Sequence, residues 1–192
     1  VGKKFVQLGL YLPYIVNIVA ISAVWLALFS NNGPILNLLR KIGMENPPVF
    51  VSDLRWALPA IVLICIWQKL GYTVILFIVA MQNIPEDLYE AAEIDGANAV
   101  QRLFSITLPQ MKDTIMINMI IVVSGSIRVF DEVYVMTSGG PGTSTETLAT
   151  YLYRTGFNND EMGHASAIGA VIFLITFILG IFQLKGYSLD ED

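Results

Sequence analysis

Reactive side chains are scarce in this chain, and the few present do not assemble into a catalytic set. His164 is the only histidine and Cys65 the only cysteine among 192 residues. A serine or cysteine nucleophile needs a base beside it, and zinc needs three or four clustered ligands, so triads and metal centres lack parts. A single cysteine also cannot close an intrachain disulfide. The run Gly139-Gly140-Pro141-Gly142 is a turn signal. No Gly-Lys-Ser/Thr occurs anywhere in the chain, so that run is not a phosphate loop and nothing here is a recognisable ATP site. The expectation is a protein with no catalytic residue, no metal and no cofactor of its own. What remains is recognition: Lys69, Arg128, Asp131 and Glu132 stand within long apolar stretches, where a charge must face a cavity or a partner.

Those stretches define the class. The hydrophobic fraction is 55%, the charged fraction only 14%, and the mean hydropathy +0.62. An ordinary soluble domain carries about 25% charge. The net charge of −5 and a pI near 4.8 exclude the basic footprint that nucleic-acid binding needs. Four stretches, at about 5–29, 56–81, 115–135 and 165–184, are each of bilayer-spanning length. The first has 25 uncharged residues, roughly 37 Å as a helix at about 1.5 Å per residue. It is too long for a secretory signal and lacks a small-residue cleavage site. Pro13 lies inside it, which a membrane helix tolerates when neighbours satisfy the freed carbonyl. The fold class expected is all-α: a polytopic transmembrane helical bundle forming one domain over 1–192.

The segments between spans carry further signals. Over 30–55, Ile35, Leu38, Leu39 and Ile42 share one helix face and Gly43 ends it, an interfacial amphipathic piece. In the polar loop 136–164, Thr143 and Glu146 have capping-box spacing, and Leu148, Tyr151, Leu152 and Thr155 would form the inner stripe of the helix they open. The segment 82–111 says most. Pro85 suits a first helical position, and Glu86 and Asp87 suit the positive end of the helix dipole. Leu88, Ala91 and Ala92 make a narrow face of small residues that another surface could approach closely. Gly96 turns the chain, and a second helical piece with Leu103, Ile106 and Thr107 on its face runs to a stop at Leu108-Pro109. By spacing alone, two short helices about a glycine make either a compact docking knob or a simple interfacial loop. Basic residues divide five against four between alternate loops, which does not fix an orientation.

At this segment the sequence resembles the permease subunits of bacterial ABC importers, whose signature is Glu-Ala-Ala, three residues, Gly, nine residues, then Ile-x-Leu-Pro. Here it stands as Glu90-Ala91-Ala92, Gly96 and Ile106-Thr107-Leu108-Pro109, with every spacing met. The flanking text IPEDLYEAAEIDGA, VFDEVYVMTSGGPGTSTETLATYLY and GHASAIGAVIFL is similar to the carbohydrate-uptake, maltose-type branch. The resemblance implies an ABC importer permease core with four spans visible of an expected six. The absent material would be the first two spans, and the chain, which begins at a valine, would be a fragment.

It also implies a cytoplasmic docking segment, with Glu90, Ala91, Ala92, Asp95 and Gly96 seating in an ATPase subunit. Loops 30–55 and 136–164 then face outward, and Gly139, Gly140 and Pro141 face an extracytoplasmic solute-binding protein. The partners implied are an ATPase dimer that binds the ATP and Mg, a second and different permease, the binding protein and the lipid bilayer. The location implied is a bacterial or archaeal cytoplasmic membrane. The function implied is passage of a sugar or oligosaccharide by alternating access. Polar points within the spans are the candidates for its path: Tyr14, Asn17, Trp67, Gln68, Ser126 and Arg128. An indole beside an amide suits a sugar's C–H face and hydroxyls, while a buried Asn serves equally as helix–helix glue. Arg128 lies three residues before Asp131 and four before Glu132, so one continuous helix would let the three neutralise each other, the structural alternative. Two other classes compete. An ion-coupled secondary transporter or channel would use Lys69, Arg128, Asp131 and Glu132 as a relay. A structural membrane anchor would leave the matched loop without a role.

Overall fold

A computed structural model of the protein describes residues 2–188; residue 1 and residues 189–192 of the expected domain lie outside it. The described chain is built from helices, and most of its apolar side chains point outward. Phe5, Phe173 and Phe182, each more than 60% exposed, have the character of lipid-facing positions. With no water in the hydrocarbon region, a spanning helix must satisfy its backbone internally, which these long unbroken helices do.

The first apolar stretch divides. Helix α1 covers Gly2–Ile15 and helix α2 covers Ile18–Phe29. The break falls at Val16-Asn17 and not at Pro13, which sits buried inside α1. Asn17 adopts φ −54°, ψ 129°, and its side chain accepts from the backbone N–H groups of Val19 and Ala20. A cap of this kind offsets the loss of helical bonds. The two halves part company: α1 lies along the later helix α4 (Ala57–Gln82), whereas α2 packs on helix α9 (Asp131–Met136). The approach to α4 is close because Gly71 has no Cβ to strike the Leu10 carbonyl.

Helix α3, Pro34–Lys41, follows α2 and begins with its proline in the first turn. Its packed residue is Leu36, fully buried, while Leu38 and Ile42 of the expected apolar stripe are exposed. Together, α2 and α3 form a 24-residue segment, Ile18–Lys41, apolar enough to cross a membrane. Helix α4 has 26 residues and is the second such element. The docking segment comprises helix α5 (Glu86–Ile94), α6 (Ala99–Arg102), a π-helical turn over Leu103–Thr107 and the one-turn α7 (Leu108–Gln110). Pro85 caps α5 rather than standing at its first position. Pro109 does not stop the second piece: the helix widens into the π-turn just before it and runs on to Gln110. The chain then bends by 67° into helix α8, Lys112–Ile127.

Helix α8 ends at Ile127, short of the expected span end at 135. Arg128 closes it with its N–H on the Gly125 carbonyl, and α9 begins three residues on. Helix α10 (Leu148–Tyr153) opens on a capping box of Thr147 with Thr150, not of Thr143 with Glu146. A second π-turn, Arg154–Asn158, leads to helix α11, Met162–Ser188, which packs on α8 and α10. The buried core lies where α2, α4 and α9 meet: Ile21, Phe29, Ala60, Ile61, Ile64, Val133 and Met136.

Candidate functional site

Two places in this fold can act: a cavity between helices and the segment that precedes α8. The cavity, about 500 Å³, lies between α4 and α8 with α9 closing one end. Its polar lining comes from one face of each helix, Lys69 and Thr73 one turn apart on α4 and Asn118 and Ser126 two turns apart on α8, with Thr147 also in the wall. Thr73 Oγ1 donates to Asn118 Oδ1 at 3.4 Å. Opposite Lys69 stands Gly125, where a Cβ would lie 3.8 Å from the lysine Nζ. At the α9 end, the thiol of Cys65 donates to Glu132 Oε1 at 3.6 Å, and that carboxylate is buried. The remainder of the wall is aliphatic, Val122, Val129 and Val133 among it. An apolar chamber with a few convergent polar groups is the usual form of a small-ligand site.

Of the residues singled out for the path, Ser126 lines this cavity, and its hydroxyl donates to the Val122 carbonyl at 2.7 Å. The other five stand elsewhere. Tyr14 stacks on Tyr72 at 5.0 Å where α1 meets α4. Asn17 is the cap of α2. Trp67 meets Trp25 edge-on at 5.4 Å, and Gln68 beside it is buried in α4. Arg128 is exposed and donates from Nε to the Ser124 carbonyl at 3.3 Å. No ion pair among the described residues joins Arg128 to Asp131 or Glu132. The chain breaks between them, so Asp131 and Glu132 sit in the first turn of α9, where the helix dipole favours a carboxylate. Lys69 likewise makes no ion pair with either, so the four charges form no chain. Lys69, Thr73 and Asn118 were not among the path candidates. Their signal was the four- and eight-residue spacing to one another and to Ser126.

The segment before α8 is held as one body. Helix α5 ends in a Schellman motif: Ala97 N–H reaches the Ala92 carbonyl at 2.9 Å and Gly96 N–H the Glu93 carbonyl at 3.0 Å. That closure requires φ of +76° at Gly96, which explains the glycine. Asn98 and Gln101 then form a capping box for α6. Two cross-links tie α5 to α6 and the π-turn: Tyr89 Oη lies 2.8 Å from the buried Thr107 Oγ1, and Arg102 Nη1 lies 3.4 Å from Glu93 Oε2. Glu90, Ala91, Asp95 and Gly96 are exposed on the knob and Ala92 is half-buried. Beside them Ile94, 86% exposed, and Phe104 present apolar surface.

In the loop after α9, Gly139 takes φ of +88° and packs against Glu146. Thr145, fully enclosed, donates to the Gly140 carbonyl at 2.8 Å and lies 2.7 Å from the Thr137 hydroxyl. Glu146 in turn pairs with Arg154 at 2.9 Å. The Gly139-Gly140-Pro141 turn is thus fixed from beneath by hydroxyls and an ion pair.

A family model described as "Binding-protein-dependent transport system inner membrane component" matches residues 2–187. The chain belongs to this family. It is 35% identical over 192 residues to "Probable ABC transporter permease protein YurN" of Bacillus subtilis (strain 168), covering 99% of this chain and 66% of the relative. To the arabinooligosaccharides transport system permease protein AraP of Halalkalibacterium halodurans it is 35% identical, covering 92% of this chain and 56% of that one. A crystal structure of a bacterial ABC transporter involved in the import of the acidic polysaccharide alginate superposes with a TM-score of 0.86. Its identity is 27%, over 95% of this chain and 64% of that chain. The same kind of transporter, in complex with alginate pentasaccharide-bound periplasmic protein, gives 0.84 at 28% identity, over 94% of this chain and 63% of that chain. The chain therefore spans about half to two thirds of the length of these relatives. Family membership makes it a multi-pass component of an inner membrane, in keeping with its long apolar helices.

Proposed function

We propose that the chain is the membrane-spanning permease of an ATP-driven, binding-protein-dependent importer for a sugar or oligosaccharide. The observation that carries this is that consecutive helices join the two candidate sites through one bend. The braced knob at Glu86–Gln110 runs through a single bend into α8, and α8 forms one wall of the cavity. A push on Glu90, Ala91, Ala92, Asp95 and Gly96 by a partner ATPase would thereby reach Asn118 and Ser126. ATP and Mg belong to that partner, and the work done here is mechanical: the helices rock between inward- and outward-open forms. A second permease completes the path, and the Gly139-Gly140-Pro141 turn meets the solute-binding protein. The arabinooligosaccharide permease and the alginate importer named above, and a lactose transport permease of Rhizobium radiobacter, carry carbohydrates by name, which favours that class here.

Co-purification in mild detergent tests the reading. The parent chain should bring down an ATPase and a second permease, and a Glu90→Ala, Gly96→Trp variant should lose the ATPase while still inserting. Were the parent to come down alone, with uptake responding to an ionophore instead of nucleotide, an ion-coupled carrier would replace this proposal.

A further inference from the structure

Lys69 is an ionisable group in the middle of a 26-residue apolar helix, and it lines the cavity. Such residues pair with a charge or face an aqueous path, because hydrocarbon disfavours a naked ammonium. Among the described residues no ion pair involves it. The surface opposite is Gly125, which leaves its amine unobstructed, and the neighbouring polar groups are the neutral Thr73, Asn118 and Ser126. Glu132 is engaged by the Cys65 thiol, one turn along α4 from Lys69.

We propose that Lys69 recognises an acidic group on the cargo, so that the cavity selects an acidic saccharide, such as a uronate-containing oligosaccharide, over a neutral one. This rests on the importer reading and adds the cargo's charge to it. A lysine is a compact point charge with three donors, so it can meet a carboxylate in several orientations within a chamber of about 500 Å³. Thr73, Asn118 and Ser126 offer hydrogen bonds to ring hydroxyls, and the valines of α8 and α9 offer apolar contact to a sugar's C–H face. Glu132 gives the chamber a polarity. A carboxylate is repelled at the Cys65 end and accepted at Lys69, which fixes the direction in which an acidic sugar lies.

The test uses the importer assembled with its ATPase, second permease and binding protein in proteoliposomes. Uptake of a diuronate is competed against its carboxyl-reduced, neutral counterpart of the same size. The parent should favour the diuronate by about tenfold or more, the scale of one desolvated charge pair. Lys69→Met should abolish that preference and Lys69→Arg should keep most of it. Equal uptake of the two sugars by the parent overturns the proposal, as does a Lys69→Met variant that retains the preference. Loss of the second permease from Lys69→Met preparations also overturns it, because Lys69 would then be one half of an intersubunit ion pair. If the parent moves neither sugar and its ATPase ignores both, this inference is overturned, while the importer reading stands or falls on the co-purification described above.

Discussion

Gly96 and Asn17 show how single residues hold this architecture for reasons that space-filling alone would miss. A Cβ at Gly96 would meet nothing within 4 Å, yet the backbone there sits at φ +76°. Left-handed geometry costs an ordinary residue about 1–2 kcal/mol, and Asn less because its side chain bonds locally. Gly96→Val should therefore loosen the Schellman closure and lower transport per ATP hydrolysed, whereas Gly96→Asn should retain most of it. Equal coupling ratios for the two variants would mean that the turn's shape is irrelevant to coupling. Asn17 makes a different case. Its carboxamide oxygen bonds two N–H groups at the start of α2, so Asn17→Ala should cost about 1 kcal/mol of stability. Asn17→Ser, which can cap the helix without carrying a charge into the apolar stretch, should restore the thermal midpoint. The KM for cargo should stay at the parent value in both; a raised KM in Asn17→Ala alone would assign the side chain to the path after all.

At the level of elements, the legible parts are those whose signal is continuous. Helix α11 could be read from an uninterrupted apolar run, α4 from one broken only at Gln68-Lys69, and α5 from its acidic first turn and terminal glycine. The breaks were harder, because their cause is a bond that composition does not reveal. Val16-Asn17 contains no glycine or proline, and the one proline nearby lies within a helix. Pro109 looks like a stop but follows a π-turn through which the helix continues, and the bend comes two residues later at Met111. The cavity depends on which faces of α4 and α8 meet, a tertiary fact, so of its polar lining only Ser126 and Lys69, the latter as a charge within a span, stand out in the sequence. The brace between α5 and the π-turn is equally tertiary. Removing one hydroxyl of it, by Tyr89→Phe or Thr107→Val, should leave ATPase binding intact while lowering cargo moved per ATP severalfold. Thr107→Ser should recover the parent ratio. Reduced ATPase co-purification in Tyr89→Phe would instead make the tyrosine part of the docking surface.

For the whole molecule, the packing divides the chain into two groups about the cavity. Helix α1 lies along α4, and α11 lies on α8 with α10 packed against it, so α4 and α8 carry most of the structure on either side. Their direct contact is slight, with Thr73 and Asn118 bridging it at 3.4 Å and an aliphatic chamber above. A close-packed seam would resist sliding, since interiors at crystal-like density transmit strain and do not yield to it. A seam interrupted by a chamber can separate, and only a chamber that opens alternately to each side can move a solute against its gradient. Tying the walls together should therefore stop transport without harming the fold. Thr73→Cys with Asn118→Cys, in a Cys65→Ser background because Cys65 lines the same space, would be bridged by a short bis-thiol reagent cleavable by reductant. Uptake should fall to background on bridging and return when the bridge is reduced, with co-purification of the ATPase unchanged throughout. Full uptake in the bridged protein would place the moving seam elsewhere, between this chain and its partner, and leave α4 and α8 to travel as one block.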